Sequence, residues 1–174
     1  MAIKTIITEP NKILRQKSKS VETVGNEERK LMKDMLDTMY HANGIGLAAI
    51  QIGVPKRIIV MDISKNKEKK NPMYFVNPTI KNKNSEHSTY EEGCLSVPNY
   101  FAEIDRPKKC EVEYLDYNGK KKTLNADGLL ATCIQHEMDH LEGILFIDYL
   151  SKLKKTMIVK KLSKQKNTPD RIIV

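Results

Sequence analysis

Hydrophobic positions in this chain recur at two periods, and the switches between them mark the predicted elements. Leu31, Met32, Met35, Leu36 and Met39 return every three or four residues, the spacing of one helix face. Asn26 is a candidate N-cap, Glu27 and Glu28 suit the positive end of the helix dipole, and Asn43-Gly44 supplies a stop. The methionines read as plain core. A second helix is predicted from Gly128 to Leu141, with Asp127 as its cap and Gly143 beyond its end. Leu129, Leu130, Cys133 and Ile134 make it so apolar that it must be largely buried. A third amphipathic helix is predicted from Leu150, with Leu153, Met157, Ile158 and Leu162 on its face, and Pro169 ends any helix. The last residues are expected to fray or to add a strand.

Between the helices the pattern turns to β-branched runs and alternation. Arg57–Ile63 and Tyr74–Pro78 read as strands, the second ending at its proline. Cys110–Tyr114 alternates as a half-buried strand, Asn118-Gly119 is a hairpin turn, and 120–125 returns as the partner. Residues 3–8 alternate weakly and predict a short strand. Residues 11–25 read as an irregular approach, 65–71 as a charged loop, 81–88 as a polar stretch with His87 exposed, and 144–149 as a short apolar connection. The expected fold class is α+β. Residues 1–174 are expected to form a single domain, a central helix surrounded by antiparallel β-strands with an N-terminal and a C-terminal helix.

Composition narrows the setting. The 174 residues are 40% hydrophobic, enough for one domain with a core. No apolar run reaches the length of about 18 residues that a membrane span needs, and the N-terminus lacks a signal-peptide core. Cys94, Cys110 and Cys133 make no disulfide framework, which fits a reducing cytoplasm. The net charge of +8 is concentrated at one end: residues 151–174 hold seven Lys and one Arg against one Asp. A basic helix and tail over about 150–174 speaks of an anionic partner rather than of fold.

The chemistry centres on Gln135-His136-Glu137-Met138-Asp139-His140. Histidines four apart on a helix share one face and can hold one metal ion, with the intervening Glu handling the proton of a water molecule. Such a hydrolytic site needs a third protein ligand. Zinc endopeptidases take theirs downstream, but no Glu or His follows Glu142, and the position of the long motif's third histidine holds Phe146. Asp148 and Asp170 read as solvated. Cys133 shares the helix but lies about 10 Å along its axis from His140, so it packs beside the site. Cys94 follows Glu92-Gly93 where the chain must turn or bulge, and its choices are ligation or a small buried hydrophobe. Ligation is favoured, giving a Cys-His-His set with an open position. A third segment, Gly44-Ile45-Gly46-Leu47-Ala48-Ala49-Ile50-Gln51, is either a tight helix-to-strand connection or a place where the backbone comes close to something.

These three segments, in this order and spacing, resemble the signature motifs of bacterial peptide deformylases, in particular the subclass with a C-terminal helix. The resemblance extends over most of the chain. It implies an enzyme that removes the formyl group from the N-terminal formyl-methionine of new polypeptides and releases formate. At matching positions it implies Cys94, His136 and His140 as metal ligands and Glu137 as general acid and base. It implies Gln51 and the backbone N–H of Leu95 as donors to the developing oxyanion. Ile45, Gly46 and Gly93 would pair with the peptide backbone, and Leu129, Thr132 and Cys133 would line the methionine pocket. Asn43 and Phe101 depart from residues found in some members, an acid and an arginine. The implied cofactor is one divalent metal ion, ferrous iron, with zinc, nickel or cobalt also suited to thiolate and imidazole. The implied partners are nascent formyl-methionyl polypeptides and the ribosome surface, which the basic C-terminal helix would meet. The protein is expected to be a cytoplasmic monomer without membrane association. The rivals are a zinc endopeptidase, a non-catalytic metal-binding module and a nucleic-acid-binding protein. The last leaves the His-Glu-x-x-His segment unexplained.

Overall fold

A computed structural model of the chain describes residues 2–64 and 69–166. Seven strands and three helices follow one another as α1 (Asn26–His41), β1 (Gly46–Ala48), β2 (Ile58–Met61), β3 (Met73–Lys83), β4 (His87–Cys94), β5 (Val97–Pro107), β6 (Lys109–Leu115), β7 (Lys121–Asp127), α2 (Gly128–Leu141) and α3 (Lys152–Lys166). Short 3-10 turns at Lys12–Arg15, Ala49–Ile52 and Phe146–Tyr149 join them. Five strands form an antiparallel sheet in the order β1-β2-β3-β6-β7, and β4 with β5 forms a separate hairpin. The fold is α+β.

Strand β2 explains how the layers are held. All four of its side chains are buried, as expected of a run of Ile-Ile-Val-Met. Ile58 and Val60 pack with Met32, Met35 and Met39 of α1, whereas Ile59 and Met61 pack with Ala131, Ile134 and Leu141 of α2. The sheet is thus covered by a helix on each face at its β1–β2 end. On its other side α2 meets the β4–β5 hairpin: His136 bonds to Glu92 of β4, and Asp139 to Arg106 of β5. A third core joins Val97 and Ile104 of β5 to Leu145, Phe146, Ile147 and Leu162.

Several expectations change. Helix α1 is capped by Gly25, not Asn26; Glu28 reaches back to accept from the Gly25 N–H at 3.0 Å. Asp127 does precede α2, but its side chain makes no capping bond. Residues 3–8 form no strand. Their extended backbone is held by single bonds, such as Ile7 N–H to Gln51 O at 2.7 Å. The polar stretch 81–88 is mostly strand, because β3 and β4 run out into solvent there. Helix α3 starts at Lys152 and buries Leu162, while Leu153 and Met157 face solvent rather than the core. The fate of the last eight residues lies outside the described ones. Asp148 is not merely solvated, since Arg15 and Lys155 both bond to it at 2.5 Å.

Candidate metal centre

Three chain segments meet over α2. Strand β1 supplies Gly46 and the following turn supplies Gln51; the β4–β5 hairpin supplies Gly93, Cys94 and Leu95; α2 supplies His136, Glu137 and His140. The hairpin turn is tight, with Cys94 paired to Val97 after a register shift at Gly93. That irregularity turns the Cys94 side chain toward α2, where its Sγ lies 3.3 Å from His140 Nε2. The donor atoms of Cys94, His136 and His140 lie within 4.8 Å of one another, the one such cluster among the described residues. Cys133 is not part of it; its Sγ lies 4.0 Å from the Ile45 carbonyl.

A buried ion network holds the cluster from behind. Glu92 Oε2 accepts from His136 Nδ1 at 2.8 Å, leaving the ring's Nε2 for another partner. Arg106 grips the same carboxylate through Nε and a terminal nitrogen, and also bonds to Asp139 at 2.8 Å. Tyr149 donates to Asp139 at 2.9 Å. Burial opposes ionisation of Glu92, but His136 and Arg106 outweigh it and hold the carboxyl below its usual range. Burial alone lowers the His136 imidazole, yet Cys94 and Glu92 hold it well above its ordinary value. Surroundings that favour a proton on this ring favour any cation bound to it. His140, fully buried, is pushed well below the ordinary imidazole value, first by burial and then by His136.

Beside the cluster stands Glu137, buried and pushed up to about 7, chiefly by burial. Its Oε2 has no hydrogen-bond partner among the described residues. Its Oε1 lies so close to the backbone of β1 that a Cβ at Gly46 would come within 2.3 Å of it. Here the glycine is required by close approach, not by a turn. Gln51 is held at both ends of its amide: Oε1 accepts from Ala48 N–H at 2.8 Å, and Nε2 donates to Ser96 Oγ at 3.1 Å while lying 3.6 Å from Cys94 Sγ.

All of this faces a cavity of about 490 Å³. Cys94, His136, Glu137, Gln51 and Leu95 line its floor, with Gly46 and Gly93 on its flanking strands and Ile45 just before β1. Leu129, Thr132 and Cys133 line it along α2, and His140 lies fully buried behind. A donor set of one thiol and two imidazoles fits a tetrahedral transition-metal site, whose ligand atoms stand roughly 3.5 Å apart. Sequence reasoning missed Arg106, Asp139, Tyr149 and Ser96. Their only signal, an arginine at an inward position of an alternating strand, is visible once β5 is known.

The third donor beside the histidine pair comes from a different element, upstream of α2, and the acidic partner of His136 comes from the same hairpin. An α+β hydrolase with a split Cys-His-His cluster is thereby distinguished from the long-motif endopeptidases. A family model for polypeptide deformylases matches residues 3–156. The peptide deformylase of Pelagibacter ubique is 77% identical over 174 residues, spanning 100% of both chains. That of Rhizobium meliloti is 54% identical over 168 residues, spanning 97% of each. The peptide deformylase of Ehrlichia chaffeensis, solved in complex with actinonin, superposes with a TM-score of 0.91 at 44% identity, covering 97% of this chain and 100% of that one. The chain belongs to the polypeptide deformylase family and is a hydrolase.

Proposed function

We propose that the protein is a metal-dependent deformylase acting on the N-terminal formyl-methionine of new polypeptides. The observation that carries this reading is the cluster of one thiol and two imidazoles, with the buried Glu137 carboxyl beside it, inside a cleft flanked by strands. Cys94, His136 and His140 are the ligands. When bound there, a divalent ion supplies Lewis acidity and makes water nucleophilic near neutral pH. Ferrous iron is the proposed ion, and zinc, nickel and cobalt suit the same donors.

The residues divide the remaining work. Glu137 takes the proton of the attacking water and passes it to the departing amine, for which a carboxyl near pH 7 is well matched. Water adds its oxygen to the formyl carbon, the C–N bond breaks, and formate and a free α-amine result. Gln51 Nε2 and the Leu95 N–H donate to the formyl oxygen as it gains charge. Gln51 enters this role already oriented by Ala48 and Ser96, and each such donor is worth roughly 3–4 kcal/mol. Backbone groups of Ile45, Gly46 and Gly93 align the peptide, and Leu129, Thr132 and Cys133 receive the methionine side chain. Residues 1–174 act together as one catalytic domain, a cytoplasmic monomer. No helix among the described residues is long and apolar enough to cross a membrane. The lysine-rich α3 docks on the anionic surface of the ribosome, and that contact is expected to weaken with salt.

The decisive measurement is formate release from formyl-Met peptides by iron- or zinc-loaded protein. Release is expected, and its absence, or cleavage of casein instead, overturns the reading. Glu137→Gln should keep its metal and lose turnover. Ribosome cosedimentation that persists after deletion of 151–174 removes the docking role.

A further inference from the structure

Residues 2–10 form no strand, yet this arm is tied down along its length by its own backbone. Ala2 N–H donates to Asp34 Oδ1 at 3.0 Å and Lys4 N–H to Thr38 Oγ1 at 2.9 Å. Farther along, Ile7 N–H donates to the Gln51 carbonyl at 2.7 Å and Glu9 N–H to the Ser96 carbonyl at 2.9 Å. The arm thus starts on α1, crosses the 3-10 turn after β1 and ends on the tip of the β4–β5 hairpin. Its far end is fixed by Arg15, which bonds to the Glu9 carboxylate.

The last two backbone bonds fall where the oxyanion donors stand. Gln51 is one donor, and Ser96 follows Leu95, the other. These donors belong to separate parts of the fold, because the five-stranded sheet and the hairpin share no strand pairing. A ring of three hydrogen bonds closes the gap between them. Ile7 N–H holds the Gln51 carbonyl, Gln51 Nε2 donates to Ser96 Oγ at 3.1 Å, and the Ser96 carbonyl accepts from Glu9 N–H. Thr8 completes the ring covalently. Gln51 and Ser96 are both buried, so water competes little for these bonds. Without the arm, the ring would keep only its side-chain bond. One hydrogen bond restrains a distance but not the orientation of two backbones.

We propose that residues 7–9 are a positioning strap that holds Gln51 Nε2 and the Leu95 N–H at the spacing the developing oxyanion requires. This rests on the deformylase reading above. The strap touches no substrate and acts through Gln51 and the hairpin tip. Donors aimed at transition-state charge are effective because they need no rearrangement when that charge appears. Loosening the strap removes stabilisation from the transition state and leaves the bound peptide, aligned by other backbone groups, as it was.

The test is Ile7→Pro, which deletes the donating N–H in a segment whose extended backbone accepts proline. At metal content equal to the parent's, kcat on a formyl-Met peptide should fall about tenfold while KM stays within about twofold. On a Gln51→Ala background the same change should cost less than about threefold, since the group it acts through is already gone. A kcat equal to the parent's, a loss carried by KM, or the same tenfold loss on both backgrounds overturns the proposal. Amide exchange in the unaltered protein tests the strap even where the variant fails to fold. The Ile7 and Glu9 amides should exchange at least about 100-fold more slowly than in an unstructured chain, and unprotected exchange at either one overturns it. A parent protein that turns over no formyl peptide overturns the deformylase reading instead.

Discussion

Gly46 shows how little slack the site leaves at single residues. Its missing Cβ is the space in which the Glu137 carboxyl lies. Gly46→Ala should therefore displace that carboxyl while the three donors of the cluster stay put. Turnover is expected to fall about 100-fold, the scale of a misplacement of about 1 Å, with metal content unchanged. Formate release and metal analysis on the same preparation check this; equal activity would show that Glu137 tolerates the shift. Glu92 acts one step further back, fixing His136 through Nδ1 and neutralising Arg106. Partners of this kind typically set metal affinity by 10–100-fold, so Glu92→Gln should weaken zinc retention about that much in chelator competition. A variant that holds zinc as tightly as the parent would show that His136 is oriented by packing alone. The motif residues were legible because histidines at helical spacing and a cysteine after glycine carry chemistry in their identity. Arg106 was not, because a buried arginine is defined by its partners, and those lie on other strands.

At the scale of elements, the hydrophobic pattern found what local periodicity can define: all three helices, β2, the start of β3 and the β6–β7 hairpin. It missed β1, which is only three residues long, and β4, β5 and the outer half of β3, where the strands run into solvent and alternation fades into polar sequence. It also put Leu153 and Met157 on the wrong side of α3, since spacing gives a face but not which face the core takes. The cap of α1 carries a further prediction. The Gly25 N–H, and next Lys56, hold the Glu28 carboxyl below its ordinary value of 4.5. A carboxyl with a depressed folded-state value stabilises above the unfolded value and ceases to do so as pH falls through the folded one. Glu28→Gln can still accept from Gly25 but carries no charge. At pH 7 it should be less stable by about 1 kcal/mol, and the gap should close as pH falls below 4.5 and through the lower folded-state value. Urea midpoints of both proteins across that range decide it; a gap independent of pH would trace the cap to shape rather than charge.

For the whole molecule, the question is what joins three cores that share few residues. The α1 side and the α2 side meet through β2, but the third core is built between the hairpin strand β5 and the elements that follow α2. Arg15 bridges this gap. From the first 3-10 turn it bonds to Glu9 in the N-terminal arm, to Asp148 at 2.5 Å and to the Gly143 carbonyl at 3.4 Å. Asp148 in turn holds Lys155 of α3. The same arm bonds to the hairpin through Glu9 N–H and Ser96 O at 2.9 Å. One guanidinium therefore fastens the beginning of the chain to the elements that follow α2. Arg15→Ala would strand Glu9, whose side chain is only 5% exposed, without its cation. Breaking a buried pair costs about 3–5 kcal/mol, and Arg15 is itself a third exposed, so about 2 kcal/mol is expected. Adding Glu9→Gln to Arg15→Ala removes the stranded charge and should restore part of the loss, because the penalty lies in the unpaired carboxylate and not in the missing contact. Equilibrium urea unfolding of the two variants tests both steps. A single variant as stable as the parent, or a double variant less stable than the single, would show that the arm is held by its backbone bonds and that the three cores need no such clamp.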